Sequence, residues 1–163
     1  NRLDELLRES RKYHENFGSS YWKDLVATEK EVGERFIGET GAVTWIASYA
    51  PQGNNEVVGI FSNISTVCEM EEPHIEGLSK GLSHVLRAYN KVGVRSFNMT
   101  LFSGPEDQHL KYYSLNVKLI SRPSLRRFYT SDSEFMERLH YETVVETKPE
   151  DVAEELRRGF QSI

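Results

Sequence analysis

Residues 71–91 read EEPHIEGLSKGLSHVLRAYNK, and residues 96–102 read SFNMTLF. The first stretch carries the clearest helical pattern in the chain. Ile75, Leu78, Leu82, Val85, Leu86 and Tyr89 keep the i, i+3, i+4, i+7 rhythm that lines up one apolar face. Pro73 suits the first turn, where a missing N–H costs nothing. Gly93 is placed to end the helix. Gly77 and Gly81 each weaken it by about 1 kcal/mol relative to Ala. Their spacing puts both on one face, so close packing against a sheet is the expected compensation. The second stretch reads as a strand that follows directly.

Working outward, residues 35–39, 42–49 and 56–62 read as three strands. Val43, Trp45 and Ile46 supply β-branched and aromatic weight. Thr40-Gly41 is a tight connection, and Pro51, Gly53, Asn54 and Asn55 mark a loop. Downstream, residues 112–120 (YYSLNVKLI) form another strand, with Tyr113, Leu115, Val117 and Leu119 alternating on one side. Residues 122–133 read as irregular, 138–147 as a strand and 149–160 as a helix, with Thr147 as its cap and acids in its first turn. At the start, Leu3, Leu6, Leu7 and Tyr13 fall on one helical face. Gly18, Ser19 and Ser20 break it, and Trp22, Leu25, Val26 and Glu29 begin a second helix that stops near Gly33.

This order predicts an α+β fold. A mostly antiparallel sheet of about five strands carries one long helix across it, with helical extensions at both ends. Residues 1–33 are expected to be a helical lead segment packed on a domain of residues 34–163. The expected core is Trp45, Ile46, Val58, Ile60, Leu78, Leu82, Val85, Leu86, Phe97, Met99, Leu101, Leu115 and Val117.

Composition excludes several functions. A net charge of −5 argues against a duplex nucleic-acid binder, which needs a concentrated basic face. Cys68 is the sole cysteine, so no intrachain disulfide and no thiolate-rich zinc site can form. No apolar run is long enough for a membrane span. A cytoplasmic protein without membrane or nucleic-acid partners is expected. The sequence begins at Asn1, not Met, and is read as a piece with residues upstream that matter.

Motifs for chemistry are missing. There is no phosphate-binding G-x-x-x-x-G-K-[ST], no G-x-G-x-x-G and no G-x-S-x-G. His14, His74, His84, His109 and His140 form no H-x-H or H-E-x-x-H pair. His84 reads as a packing or surface residue, and His74 lies in a first turn that disfavours a cation. An independent hydrolase built on His109 or His140 is the weakest reading. No catalytic residue is assigned.

Three segments in order carry a resemblance. They are Glu34-Arg35-Phe36-Ile37-Gly38-Glu39-Thr40 with Ala47-Ser48-Tyr49-Ala50-Pro51; then Phe97 to Pro105 (FNMTLFSGP); then Tyr113-Ser114-Leu115-Asn116-Val117-Lys118 with Ser124-Leu125-Arg126-Arg127-Phe128 and Glu142-Thr143 to Leu156. Together they resemble the C-terminal half of galactose-1-phosphate uridylyltransferases, a half with the histidine-triad (HIT-like) fold. That family joins two such halves. The first holds a His-Pro-His nucleophile that takes the uridylyl group covalently and passes it to a hexose phosphate, splitting one hard transfer into two. No His-Pro-His occurs here. The resemblance therefore implies a structural or dimerising half of a nucleotidyltransferase acting on a UDP-sugar, inactive alone. Its partner would be an upstream HIT-like half or a second copy. The alternative is a stand-alone, non-catalytic HIT-like module that binds a nucleotide, a sugar phosphate or a protein.

The family's second half also holds structural zinc or iron. The matching positions are Phe102, Asn116 and Lys118, so no metal is expected. A phenyl ring cannot ligate, an amide is a weak ligand, and an ammonium repels a cation. The family's sugar-phosphate loop matches Arg127 and Phe128, and Val144 replaces its glutamine. With Arg122 and Arg126, and with Lys111 and Lys118 near in sequence, these residues are the candidate phosphate site, because guanidinium forks bind phosphate bidentately.

Overall fold

The computed structural model describes residues 2–122 and 145–160. Two helices lead, α1 (Arg2–Phe17) and α2 (Tyr21–Val32). Gly33 closes α2 in the left-handed region, at φ 78°, where a side chain would be strained. Strands β1 (Phe36–Thr40), β2 (Val43–Ala47) and β3 (Val57–Phe61) follow, then a short 3-10 helix, Val67–Glu69. Helix α3 (Glu72–Lys91), strands β4 (Phe97–Phe102) and β5 (Asn116–Ser121) and helix α4 (Pro149–Phe160) complete the order.

The strands form one antiparallel sheet in the order β1-β2-β3-β5-β4. Alternation along the strands splits the interior in two. On one face Val43, Trp45, Val57, Phe61, Leu115, Val117 and Leu119 meet Val85, Ala88 and Tyr89 of α3 and Val152, Ala153 and Leu156 of α4. On the other face Ile46, Val58 and Ile60 meet Trp22 of α2, with Leu3, Leu6 and Leu7 of α1 packed alongside. Trp22 donates its indole N–H to the buried Ser10 hydroxyl at 3.1 Å, which joins the two lead helices.

The glycine face of α3 packs as its spacing predicts. A Cβ on Gly77 would overlap the carbonyl of Thr40, and one on Gly81 would overlap the Trp45 indole. Thr40 closes the contact: its hydroxyl donates to the Gly77 carbonyl at 2.6 Å and accepts from Trp45 Nε1 at 2.7 Å.

Several expectations need correction. Phe97, Met99 and Leu101 are 39–48% exposed and are not core. Among the described residues β4 is an edge strand that packs chiefly on β5, with a ring contact between Phe97 and Tyr89 of α3. Leu78, Leu82 and Leu86 are only partly buried, and Ile75 is exposed. Strand β5 begins at Asn116, so Tyr113 lies in the preceding turn and joins the cluster under α1 and α2, not the face of Leu115. The Thr147 hydroxyl accepts from the Asn55 backbone N–H at 2.8 Å, tying the start of α4 to the β2–β3 loop. The strand expected at 138–147 falls largely outside the described residues, and 145–147 are not in a strand. Among the described residues no helix is long and apolar enough to cross a membrane.

Candidate functional site

The period-two geometry of β5 sets Asn116 and Lys118 on one face, the face that packs under α1 and α2. In register, Asn116 lies beside Ile60 of β3 and Phe102 of β4, and Lys118 beside Val58 and Thr100. The structure thus brings Phe102, Asn116 and Lys118 together, as the spacing predicts. Their chemistry differs from that of a histidine set. The Asn116 amide N–H₂ donates to the Tyr113 hydroxyl at 3.1 Å and to the Ser114 carbonyl at 3.0 Å, while its Oδ1 is buried without a donor. Burial pushes the Tyr113 phenol up to about 12. Lys118 extends its ammonium to 3.0 Å from Oε1 of Glu56, whose side chain is fully buried. The other Glu56 oxygen accepts from the Gln52 backbone N–H at 2.5 Å.

Around this pair lie two adjoining hollows. One, of about 180 Å³, is lined by Arg2, Gln52, Glu56, Thr100, Phe102 and Lys118. The other, of about 170 Å³, runs from Lys118 and Arg2 to Trp22, Leu25 and Tyr49. Arg2 donates to Gln52 Oε1 at 2.9 Å.

Only part of the expected cluster of cations falls within the described residues. Arg122 follows β5, where its backbone N–H donates to the Ser96 carbonyl at 2.9 Å. Lys118 is turned to Glu56 on the sheet face. Arg126, Arg127 and Phe128 lie outside the described residues, as does His140.

The remaining histidines have local roles. His84 is buried against Phe160, with ring centroids 4.7 Å apart, and burial lowers its pKa, helped by Arg87. His74 accepts from the Glu71 N–H at 3.2 Å and donates to the Ser62 carbonyl at 3.3 Å, which a ring protonated on Nε2 satisfies. His109 places Nδ1 2.5 Å from Oε1 of Glu69. The other Glu69 oxygen accepts from the Ser65 N–H, the Ser65 hydroxyl and the Thr66 N–H at 2.7–3.0 Å. Burial pushes the Glu69 carboxyl up, but these donors and His109 outweigh it and hold it below its ordinary value. Sequence reading flagged His109 and missed Glu69, because the pair is 40 residues apart. It also missed the junction of Arg35 with buried Glu29 at 2.9 Å and Glu150 at 3.0 Å. The short strand carrying Arg35 gave no signal of either partner.

No family model matches the sequence. The chain is 30% identical over 151 residues to an uncharacterized protein of Archaeoglobus fulgidus, covering 93% of this chain and 44% of that one. Among solved structures it superposes on a uridylyltransferase with a TM-score of 0.80 at 17% identity, over 98% of this chain and 51% of that one. An ADP-glucose phosphorylase from Arabidopsis thaliana with bound ADP-glucose gives a TM-score of 0.74 at 17% identity, over 95% and 48%. A zinc-bound histidine triad family protein from Mycobacterium smegmatis gives 0.54 at 12% identity, over 83% and 90%. The chain thus spans about half the length of the archaeal relative and of the two transferase-type structures. Its fold is the HIT-like α+β fold shared by these superposed structures.

Proposed function

We propose that this chain is the nucleophile-free HIT-like half of a galactose-1-phosphate uridylyltransferase-like nucleotidyltransferase, and that its β4 edge receives the catalytic half. The observation that carries this reading is the unequal treatment of the two sheet edges. β1 is covered: α2, α3 and α4 all pack on it, and the Phe160 ring fills the space beside Gly38. Among the described residues no strand pairs with the outer edge of β4, and Phe97, Met99 and Leu101 extend the apolar α3-side face past the last helix. An unpaired apolar edge invites another strand, and soluble proteins cover or charge such edges. A second HIT-like sheet would supply that strand, and the length of the matched proteins supports its presence in the same polypeptide. The role left to this half is to complete the fold and to place Arg122, Arg126, Arg127 and Phe128 toward a sugar phosphate, while the uridylyl group is carried by the other half.

The alternative, a stand-alone module binding a nucleotide, a sugar phosphate or a protein, leaves the same edge to a second copy or to solvent. Hydrogen exchange decides between them. In the intact gene product, the outward amides of residues 97–102 are expected to be protected at every protein concentration. Protection that appears only at high concentration indicates a homodimer. Rapid exchange throughout rejects edge pairing. Transfer of a uridylyl group from a UDP-sugar to a hexose phosphate by the intact protein, weakened in Arg127→Ala, is the matching activity result.

A further inference from the structure

We propose that the Lys118 ammonium takes the place of a structural metal ion on this sheet face, so that the site is held by an internal ion pair and is independent of metal. This rests on the fold and on the three matched positions, and it does not depend on the second half or on any transfer activity.

The donor set does not fit a metal. Phe102 offers no lone pair, and Asn116 offers one amide oxygen, its buried and unpartnered Oδ1. A lone amide oxygen is not a transition-metal site, which needs several imidazole, thiolate or carboxylate donors. Among the described residues no group of three or more His, Cys, Asp or Glu could hold a metal ion. The nearest carboxylate, Glu56, is already bound to Lys118 at 3.0 Å and to the Gln52 N–H at 2.5 Å. A divalent cation entering here would meet a fixed positive charge.

The same geometry explains why a cation is needed at all. Glu56 immediately precedes β3 and stands on the same side as Val58, the register partner of Lys118, so the two charges meet diagonally across the strands. A fully buried carboxylate without a countercharge is strongly disfavoured. The charged and titratable groups around it are Lys118 from β5, Arg2 from α1 across the shared cavity, and Tyr89 from α3, whose phenol burial keeps protonated. Of these only Lys118 makes an ion pair with Glu56. The charge that a metal would bring from solution is thus supplied by the chain itself.

The test uses the intact protein. Its thermal midpoint is expected to be the same with EDTA, with added Zn²⁺ and with added Fe²⁺. Glu56→Gln and Lys118→Met are each expected to lower the folding equilibrium constant by about 100-fold or more, since each strands one buried partner. The double variant should lose far less than the product of the two. Lys118→Arg, which keeps the charge, should fold and melt near the parent, and this reading survives if Lys118→Met cannot be purified. A chelator-sensitive midpoint, zinc or iron at one equivalent per chain in the purified protein, additive losses in the cycle, or a Lys118→Arg variant as damaged as Glu56→Gln would each overturn the proposal.

Discussion

The indole of Trp45 occupies the space in which a side chain at position 81 would stand. Trp45 is fully buried, and its N–H is fixed to Thr40, so the ring cannot swing aside. Replacing Gly81 with Ala gains about 1 kcal/mol of helix propensity. Overpacking a filled core costs about 1–3 kcal/mol, and more when the neighbour cannot relax. The clash wins. Gly81→Ala is expected to lower stability by up to about 2 kcal/mol in urea denaturation, the difference of those two effects. Ser79→Ala, exposed on the same helix, should be neutral or slightly stabilising. Equal gains in both variants would contradict this packing.

Arg35 is the only cation paired with buried Glu29 among the described residues, and it also reaches Glu150 on α4 and stacks 5.0 Å from the Tyr49 ring. Removing one partner of a buried ion pair costs about 3–5 kcal/mol. Arg35→Ala should lose an amount of that order, read as a fall in the urea midpoint. Arg35→Lys should recover only part, because one ammonium cannot bond two carboxylates in the fixed directions of a guanidinium fork.

Glu69 gives the protein an acid-sensitive joint. Its folded carboxyl is held below the ordinary value of 4.5 by Ser65, His109 and Thr66, which outweigh burial. A depressed folded pKa contributes stability that is present above the unfolded pKa and is lost as pH falls through the folded one. Thermal midpoints of the parent and Glu69→Gln should therefore converge as pH falls below about 4.5, and stay apart at pH 6 and above. A constant gap across that range would remove the carboxylate from this role.

Tyr113 acts at the opposite end of the scale. Burial raises its phenol from 10.0 to about 12, partly opposed by the bond from Asn116. A raised folded pKa contributes stability that is full below the unfolded value and lost as pH climbs to the folded one. Ultraviolet titration should show this phenol ionising only near pH 12 or with unfolding. Tyr113→Phe should cost about 1–3 kcal/mol at pH 7, because the Asn116 amide loses an acceptor and the Phe102 carbonyl a donor.

Local pattern determined a good deal here. The stripe from Leu78 to Tyr89 set α3, and the spacing of Gly77 and Gly81 predicted a face pressed on the sheet, because a helix repeats every turn whatever surrounds it. The period of a strand by itself places Asn116 and Lys118 on one face. The order of helices and strands gave the α+β class, and three short segments gave the HIT-like resemblance that the superpositions support.

Other features depended on neighbours that a linear pattern does not encode. Phe97, Met99 and Leu101 alternate as a core strand would, yet the sheet order inserts β5 between β3 and β4 and leaves them at the rim. Lys118 reads as a cation beside the candidate phosphate site until Glu56, 62 residues away, is set across from it. Arg35 likewise meets Glu29 and Glu150 only when α2 and α4 converge on β1. Periodicity is a property of one segment, so the sequence determined the segments and the faces they present. Burial and charge pairing arise between segments, so the tertiary structure alone decided which face is covered and which charge is answered.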